Sequence, residues 1–321
     1  MIGTDPVERE ILLLATGGTI AMAGPRAVPS SGPAELLAAA GLGDVRAREL
    51  LGVPGAHVSL DDALAIARAA TEAATDGAGV VVTHGTDTLE ETAFLTDLLH
   101  DGEAPIVFTG AIRPGSAPGA DGPANLLDAV AVARAREAAG LGVVVVFGGE
   151  VHAAREARKV DSAGPAAFGS PNAGPIGRVV EGRLALKSRP VRPTVALRPE
   201  HLRFRVPIVA AALGDGLETL DGRADGVVVA TLGGGHLGPE GLDRLAATAA
   251  RRPVVLSVRP PRGALLSQTY GFRGAEGDLR ATGAIPAGGL SPQAARMKLL
   301  ACLGSGLEGD AIADAFAADD P

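Results

Sequence analysis

Seven short apolar runs, none broken by a polar residue until its end, limit what this chain can fold into. They are ILLLA (11–15), GVVVT (79–83), PIVFTG (105–110), GVVVVFG (142–148), VPIVAA (206–211), GVVVATL (226–232) and PVVLSV (253–258). A strand with one wet face alternates apolar and polar residues, whereas a strand buried on both faces does not. Segments of helical character, at about 61–76, 88–100, 123–139, 240–251 and 291–303, follow or separate these runs. Continuous strands alternating with helices predict parallel sheets covered on both sides, an α/β doubly wound architecture. The stretch LKSRPVRPTVALRPEHLRFR (186–205) breaks the alternation, being basic, proline-punctuated and without a period. The expected organisation is therefore two α/β domains, each a mostly parallel sheet flanked by helices. A larger N-terminal one (1–190) is Rossmann- or flavodoxin-like, and a linker (191–206) leads to a smaller C-terminal one (207–321).

Composition narrows the partners. Aromatic residues make up 2% of the chain and Trp is absent, so the cores must be built from Val, Leu, Ile and Ala. A net charge of −8 without any Lys/Arg-rich run gives no footprint for nucleic acid or an acidic membrane. Cys302 is the only cysteine, which rules out an intrachain disulfide and a cysteine-rich zinc cluster. The apolar stretch ILLLATGGTIAMA (11–23) follows Asp5, Glu8 and Glu10 with only Arg9 opposing them. That is the wrong sign for a secretory leader, and the stretch is too short to span a bilayer. The expectation is a soluble, cytoplasmic protein that does not engage membranes.

In open α/β sheets, ligands bind outside the carboxyl ends of the strands. Two strand ends here carry unusual chemistry: ATGGTIA (15–21) and THGTDT (83–88). In the first, Gly17 and Gly18 permit close backbone approaches, and Thr16 and Thr19 set hydroxyls beside exposed N–H groups. That arrangement suits a carboxylate or a developing oxyanion, although a plain tight turn explains it as well. In the second, Asp87 with Glu90, or Thr88 with Glu91, has capping-box spacing, and His84 has a bland role donating to a backbone carbonyl. Capping leaves Thr86 and Asp87 at the mouth of the sheet unexplained. The aspartate could hold an ammonium group, and the threonine could be a nucleophile or relay a proton. A threonine nucleophile needs a base, and a lysine drawn into a desolvated site can lose its proton and serve. The chain has three lysines. Lys187 falls in the linker and Lys298 on a terminal helix expected to be amphipathic, both with solvated readings. Lys159 follows the strand GVVVVFG, at another carboxyl edge of the first domain, and is the expected base.

Rival readings are weaker. GGGHLG (233–238) has the spacing of a dinucleotide-binding turn, but the next strand ends LSVRPP, with Arg259 where a ribose-binding acid should stand. The six histidines show no metal-ligand spacing, so neither a metal nor an organic cofactor is expected.

TGGTI, HGTDTLEETAFLTDL (84–98), TGAIRP (109–114), DGPANLLDA (121–129) and AREARKVDS (154–162) together resemble the bacterial-type L-asparaginase family. The likeness extends through YGFRGAEGDL (270–279) and LSPQAARMKLL (290–300). It implies two α/β domains in a homo-oligomer, dimer or tetramer, with active sites near subunit interfaces. It also implies hydrolysis of the L-asparagine side-chain amide through a threonine acyl-enzyme, with Thr16 as nucleophile. Thr86, Asp87 and Lys159 match a second group in which the lysine activates the threonine and the aspartate holds the substrate ammonium. Gly17 belongs to the same substrate-binding loop, and the carbonyl of Ala111 matches one that contacts the amide. Three features depart from the pattern. The lid segment AMAGPRAVPSSGPAEL (21–36) lacks the family's tyrosine, the only one in the chain being Tyr270. Gly55, His57 or Ser59 stands near the place of a carboxylate-binding serine, though Ser59 with Asp62 also fits a capping box. Glu276 loosely matches an acid lent by a neighbouring subunit. The alternative expectation is a weakened member of the family, acting on another small amide or serving as a binding or regulatory protein.

Overall fold

Every one of the seven apolar runs contains a strand, and each begins or ends where the continuous hydrophobicity does. The computed structural model describes residues 9–24, 28–192, 197–214 and 217–317. The chain divides into two compact units, residues 1–194 and 195–321.

In the first unit, β1 (Ile11–Gly17) leads through a small ribbon, β2 (Met22–Ala23) with β3 (Val28–Pro29), to α1 (Pro33–Ala39) and β4 (Arg46–Val53). Then come α2 (Leu60–Thr75), β5 (Gly79–Thr83), α3 (Leu89–Leu99), β6 (Ile106–Thr109), α4 (Gly122–Arg134) and β7 (Val143–Phe147). The unit closes with β8 (Glu150–Ala153), a two-residue ribbon of β9 (Arg158–Lys159) and β10 (Phe168–Gly169), and the hairpin β11 (Gly177–Val180) and β12 (Arg183–Leu186). Eight of these strands make one sheet in the order β12-β11-β8-β7-β6-β5-β1-β4. The five from β7 to β4 are parallel, and β8, β11 and β12 extend them antiparallel.

From β1 the chain goes first to β4 on one side and then to β5 on the other, so the strand order reverses at β1. Leu36 and Leu37 of α1 and Leu126 to Ala133 of α4 pack on one face of the sheet. Ile66, Ala70 and Ala74 of α2 and Leu89 and Ala93 of α3 pack on the other. Connections leaving β1 and β5 thus depart to opposite faces, and a crevice opens at their carboxyl ends.

The strands that sequence reading passed over are the polar ones and those only two residues long. β4 reads RARELLGV and is largely exposed, as an edge strand with one partner must be. β8, β11 and β12 are four residues each; β11 and β12 alternate, the pattern of antiparallel strands with a wet side, whereas β8 is buried but for Glu150.

The second unit contains β13 (Ile208–Ala210), β14 (Val227–Thr231), α5 (Pro239–Ala249), β15 (Val254–Val258), α6 (Glu276–Ala281), β16 (Ile285–Pro286), α7 (Pro292–Gly304) and α8 (Asp310–Ala317). Its four strands are parallel in sequence order. α7 is not the amphipathic helix expected: Ala294, Met297, Leu299, Leu300 and Cys302 are buried around its circumference. Lys298 is buried with them, its Nζ 5.1 Å above the Phe316 ring, so the solvated reading of that lysine is corrected. Of the expected linker, residues 193–196 lie outside the described residues. Beyond them Leu197, Leu202 and Val206 are buried and Glu200 N–H donates to Gly304 O, so that stretch is part of the second unit. Its break in hydrophobic period reflects irregular packing rather than a free connection.

Candidate active site

Glycines decide what meets at the crevice. Gly18 has φ +80°, and a Cβ there would lie 2.4 Å from Gly85 Cα. A Cβ on Gly85 would in turn lie 2.4 Å from Gly55 Cα. Three strand-end loops therefore touch backbone to backbone, which no side chain would allow. Gly17, with φ +95°, closes against Val53 in the same way, and Gly18 N–H donates to Val53 O at 2.9 Å. The contacts bring the loop after β1, which follows Thr16, against the loop after β5, which carries Thr86 and Asp87. Thr16 is buried and its hydroxyl donates to Thr83 O at 2.9 Å.

The second group is assembled by Lys159. Its Nζ donates to Thr86 Oγ1 at 2.9 Å and to Asp87 Oδ1 at 3.1 Å. Its backbone N–H donates to Glu90 Oε2. Thr86 is buried, the lysine side chain is 21% exposed and that of Asp87 59%. An ion pair so open to water contributes little to stability, which leaves placement as its effect.

The capping reading of this segment is overturned. The N-cap of α3 is Thr88, and it makes no side-chain capping bond. Its hydroxyl donates instead to Gly55 O at 2.8 Å, fastening the same glycine junction. Glu90 turns towards Lys159, and burial pushes its carboxyl above the ordinary glutamate range against the pull of the Lys159 N–H. The spacing of Glu90 from Asp87 pointed only to a capping box, and nothing local pointed to Lys159, 69 residues along the chain.

His84 is wholly buried, and its Nδ1 lies 2.9 Å from Gly85 O. A carbonyl only accepts, so Nδ1 carries the proton, the bland role expected of it. Burial drives its pKa down to about 4, so the ring is neutral.

Ala111 is buried in the loop after β6. That loop is pinned by Asp121, whose carboxylate accepts from the N–H groups of Ile112 and Arg113 at 3.0 and 2.8 Å. Asn125 completes the support: its Nδ2 donates to Gly110 O at 3.0 Å and its Oδ1 accepts Gly148 N–H at 3.1 Å. Asp121 and Asn125 lie within a motif quoted above, but only the fold reveals that they tie two strand ends together.

The other expected substrate contacts divide. Ser59 is the N-cap of α2 and forms a full capping box with Asp62, its hydroxyl accepting Asp62 N–H at 3.1 Å. His57 ends the short 3₁₀ turn Gly55–His57 and is exposed. Glu276 belongs to the second unit. It is buried, its Oε1 accepts Tyr270 N–H at 2.8 Å, and its Oε2 is 3.5 Å from His236 Nε2. Burial alone would raise its pKa, but the N–H groups of Tyr270, Glu276 and Thr269 outweigh it and hold the carboxyl low. In the glycine-rich turn, Leu232 and His236 close on each other between β14 and α5. Arg259 donates to Ala211 O at 3.0 Å, so the turn is accounted for by packing.

Comparison with known proteins agrees along the whole chain. The model described as "Asparaginase, N-terminal" matches residues 10–192, and that described as "Glutaminase/Asparaginase C-terminal domain" matches 205–316. A probable L-asparaginase of Deinococcus radiodurans is 39% identical over 319 residues, covering 95% of this chain and 96% of its own. A probable periplasmic L-asparaginase of Haemophilus influenzae is 32% identical, with 90% of this chain and 87% of its own covered. Among solved structures, a probable cytoplasmic L-asparaginase from Campylobacter jejuni superposes with a TM-score of 0.85 at 28% identity. It covers 97% of this chain and 99% of that one.

Proposed function

The chain belongs to the bacterial-type asparaginase family, and from that premise we propose that it hydrolyses the side-chain amide of L-asparagine to L-aspartate and ammonia. The observation that carries the reading is Lys159 Nζ at 2.9 Å from Thr86 Oγ1, beside Asp87, at the strand-order reversal. A hydroxyl, an amine and a carboxylate at a crevice are the groups that amide hydrolysis through a threonine ester requires.

In this reading Thr16 Oγ1 attacks the amide carbon, and its proton reaches the departing nitrogen by way of the Thr86–Lys159 pair. Ammonia leaves, and the acyl group remains on Thr16 as an ester. Water then adds to the ester and aspartate departs, returning the proton to Thr16. Asp87 holds the substrate ammonium, and Gly17 and the Ala111 carbonyl face the polar atoms of the substrate. His57 serves as a further substrate contact, and Glu276 is the acid that a neighbouring subunit would lend. Ser59 is the least supported of these, since its hydroxyl is occupied with Asp62.

One observation favours a second reading for the nucleophile. The hydroxyl with an amine upon it is that of Thr86, whereas the Thr16 hydroxyl is buried and given to Thr83 O. Trapping the acyl-enzyme and mapping the ester by peptide mass separates the two. An adduct on Thr86 that survives Thr16→Ala would reverse the assignment.

The protein is proposed to work as a homo-oligomer, to need no metal or organic cofactor, and to reside in the cytoplasm, as the similar probable cytoplasmic L-asparaginase of Campylobacter jejuni does. The activity is tested by incubating purified protein with Asn, Gln and simple amides without added metal. Ammonia release from Asn is expected. A folded oligomer silent on the whole panel would leave the binding or regulatory role as the reading.

A further inference from the structure

Lys159 stands in a two-residue strand whose ladder partner is β10, outside the eight-stranded sheet. A ribbon that short holds little by itself. Its support comes from one face of α3. Glu90, one turn beyond Asp87, takes the backbone N–H of Lys159. Asp97, two turns further along, accepts Val143 N–H at 3.1 Å, and its Oδ2 faces Arg155 Nε at 3.8 Å. The segment 155–159 is thus tethered at both ends to the helix whose entry carries Thr86 and Asp87. Glu90 has no capping duty to explain it, because the N-cap is Thr88 and the capping position three residues on is Glu91. Retaining a carboxylate where burial opposes its charge costs stability, and such a group is kept for a local task.

We propose that Glu90 is the positioning residue for Lys159, fixing its backbone so that the side-chain nitrogen falls on Thr86 Oγ1. Glu90 acts through Lys159 and takes no part in holding substrate. The inference rests on the asparaginase reading for its kinetic consequence, and on geometry alone for its structural one.

The test has an arm for each. With three lysines in the chain, Lys159, Lys187 and Lys298, protein labelled with ¹³C at lysine Cε gives three resolvable signals, Lys159→Met assigning one of them. In Glu90→Ala the Lys159 signal is expected to move towards that of a free lysine, and in Glu90→Gln, whose amide oxygen still accepts, to stay. Glu90→Asp keeps the charge but withdraws the oxygen by one methylene, and is expected to behave like Glu90→Ala. It also serves if Glu90→Ala does not fold. In steady-state kinetics Glu90→Ala should lower kcat about 10²-fold, the worth of a misplaced catalytic group, with KM little changed. On the Lys159→Met background it should add no further loss, because the two act as one unit. An unmoved Lys159 signal, or an equal kcat loss on both backgrounds, would overturn the proposal. The spectra need no turnover, so a wild type silent on amides would remove the asparaginase reading while the shifts still decided Glu90.

Discussion

At the scale of single residues, chemistry and stability rest on different side chains. If Lys159 serves as base, Lys159→Met should cost on the order of 10²–10⁴-fold in kcat, while Thr16→Ala should abolish acyl-enzyme if Thr16 is the nucleophile. Rapid-quench and intact-mass measurements on the two variants check this. A Lys159→Met enzyme within a few-fold of wild type would end the proposed role. His84 affects the fold instead. Its pKa of about 4 lies below the ordinary 6.5, so the folded protein binds fewer protons than the unfolded chain between those values. The stability it gives is complete above pH 6.5 and is lost as pH falls towards 4, up to about 3 kcal/mol. His100 and His152, also lowered by burial, act in the same direction. Urea unfolding at pH 7 and pH 4.5 should show a steeper loss in wild type than in His84→Gln, and equal losses would refute the assignment.

At the scale of elements, the site depends on how closely loops approach rather than on any helix or strand. Gly85 has an ordinary backbone conformation, so a methyl group there tests contact alone: it would meet Gly55 Cα at 2.4 Å. Gly85→Ala is expected to cost about 3 kcal/mol or more, in the range of severe overpacking, and to lower kcat by moving Thr86. Gly41 is the control, with φ +67° and nothing within 4 Å, so Gly41→Ala should cost only about 1–2 kcal/mol, for its backbone conformation. Chemical melts that rank the two variants the other way would show the glycine junction to be loose. The five expected helices are all present, α2 at 60–75 against an expected 61–76 and α4 ending at Arg134 rather than 139. α1, α6 and α8 were not anticipated. The first two are only seven and six residues long, and α8, though it buries Ile312, Ala315 and Phe316 at helical spacing, has only eight residues to show the pattern.

For the molecule as a whole, the absent lid tyrosine sets the expected rate. Residues 25–27 of the lid segment lie outside the described residues, and no tyrosine occurs anywhere in 21–36. Tyr270 neighbours Phe272, with ring centroids 5.8 Å apart, and its ring meets His236 edge-on at 4.9 Å. It is nevertheless 50% exposed. A site that loses lid closure loses positioning, roughly 10²-fold or more. The expected enzyme is a slow asparaginase with kcat/KM below about 10⁴ M⁻¹s⁻¹, the low end of the ordinary range. Steady-state kinetics on wild type and Tyr270→Phe check both parts. A fast wild type would show the lid tyrosine to be dispensable here, and a large loss in Tyr270→Phe with the oligomer intact would show that its role had moved.

What the sequence determined by itself were the features written in consecutive residues. The continuous valine runs made parallel buried strands, because a strand covered on both faces has no wet side to encode. Ser59 and Asp62 made a capping box, because that bond spans three residues. THGTDT and a scarce lysine marked the strand end where Thr86, Asp87 and Lys159 meet. The tertiary structure alone decided what depends on backbones meeting across the chain: that Gly18, Gly55 and Gly85 touch, and that Lys159 reaches Thr86 across 73 residues of sequence. It also turned Glu90 from helix cap to anchor and placed Lys298 in a core rather than in water. Local pattern fixes the burial of a strand, but a polar side chain takes its role from whichever segment folding brings beside it, and that distance is not written in its neighbours.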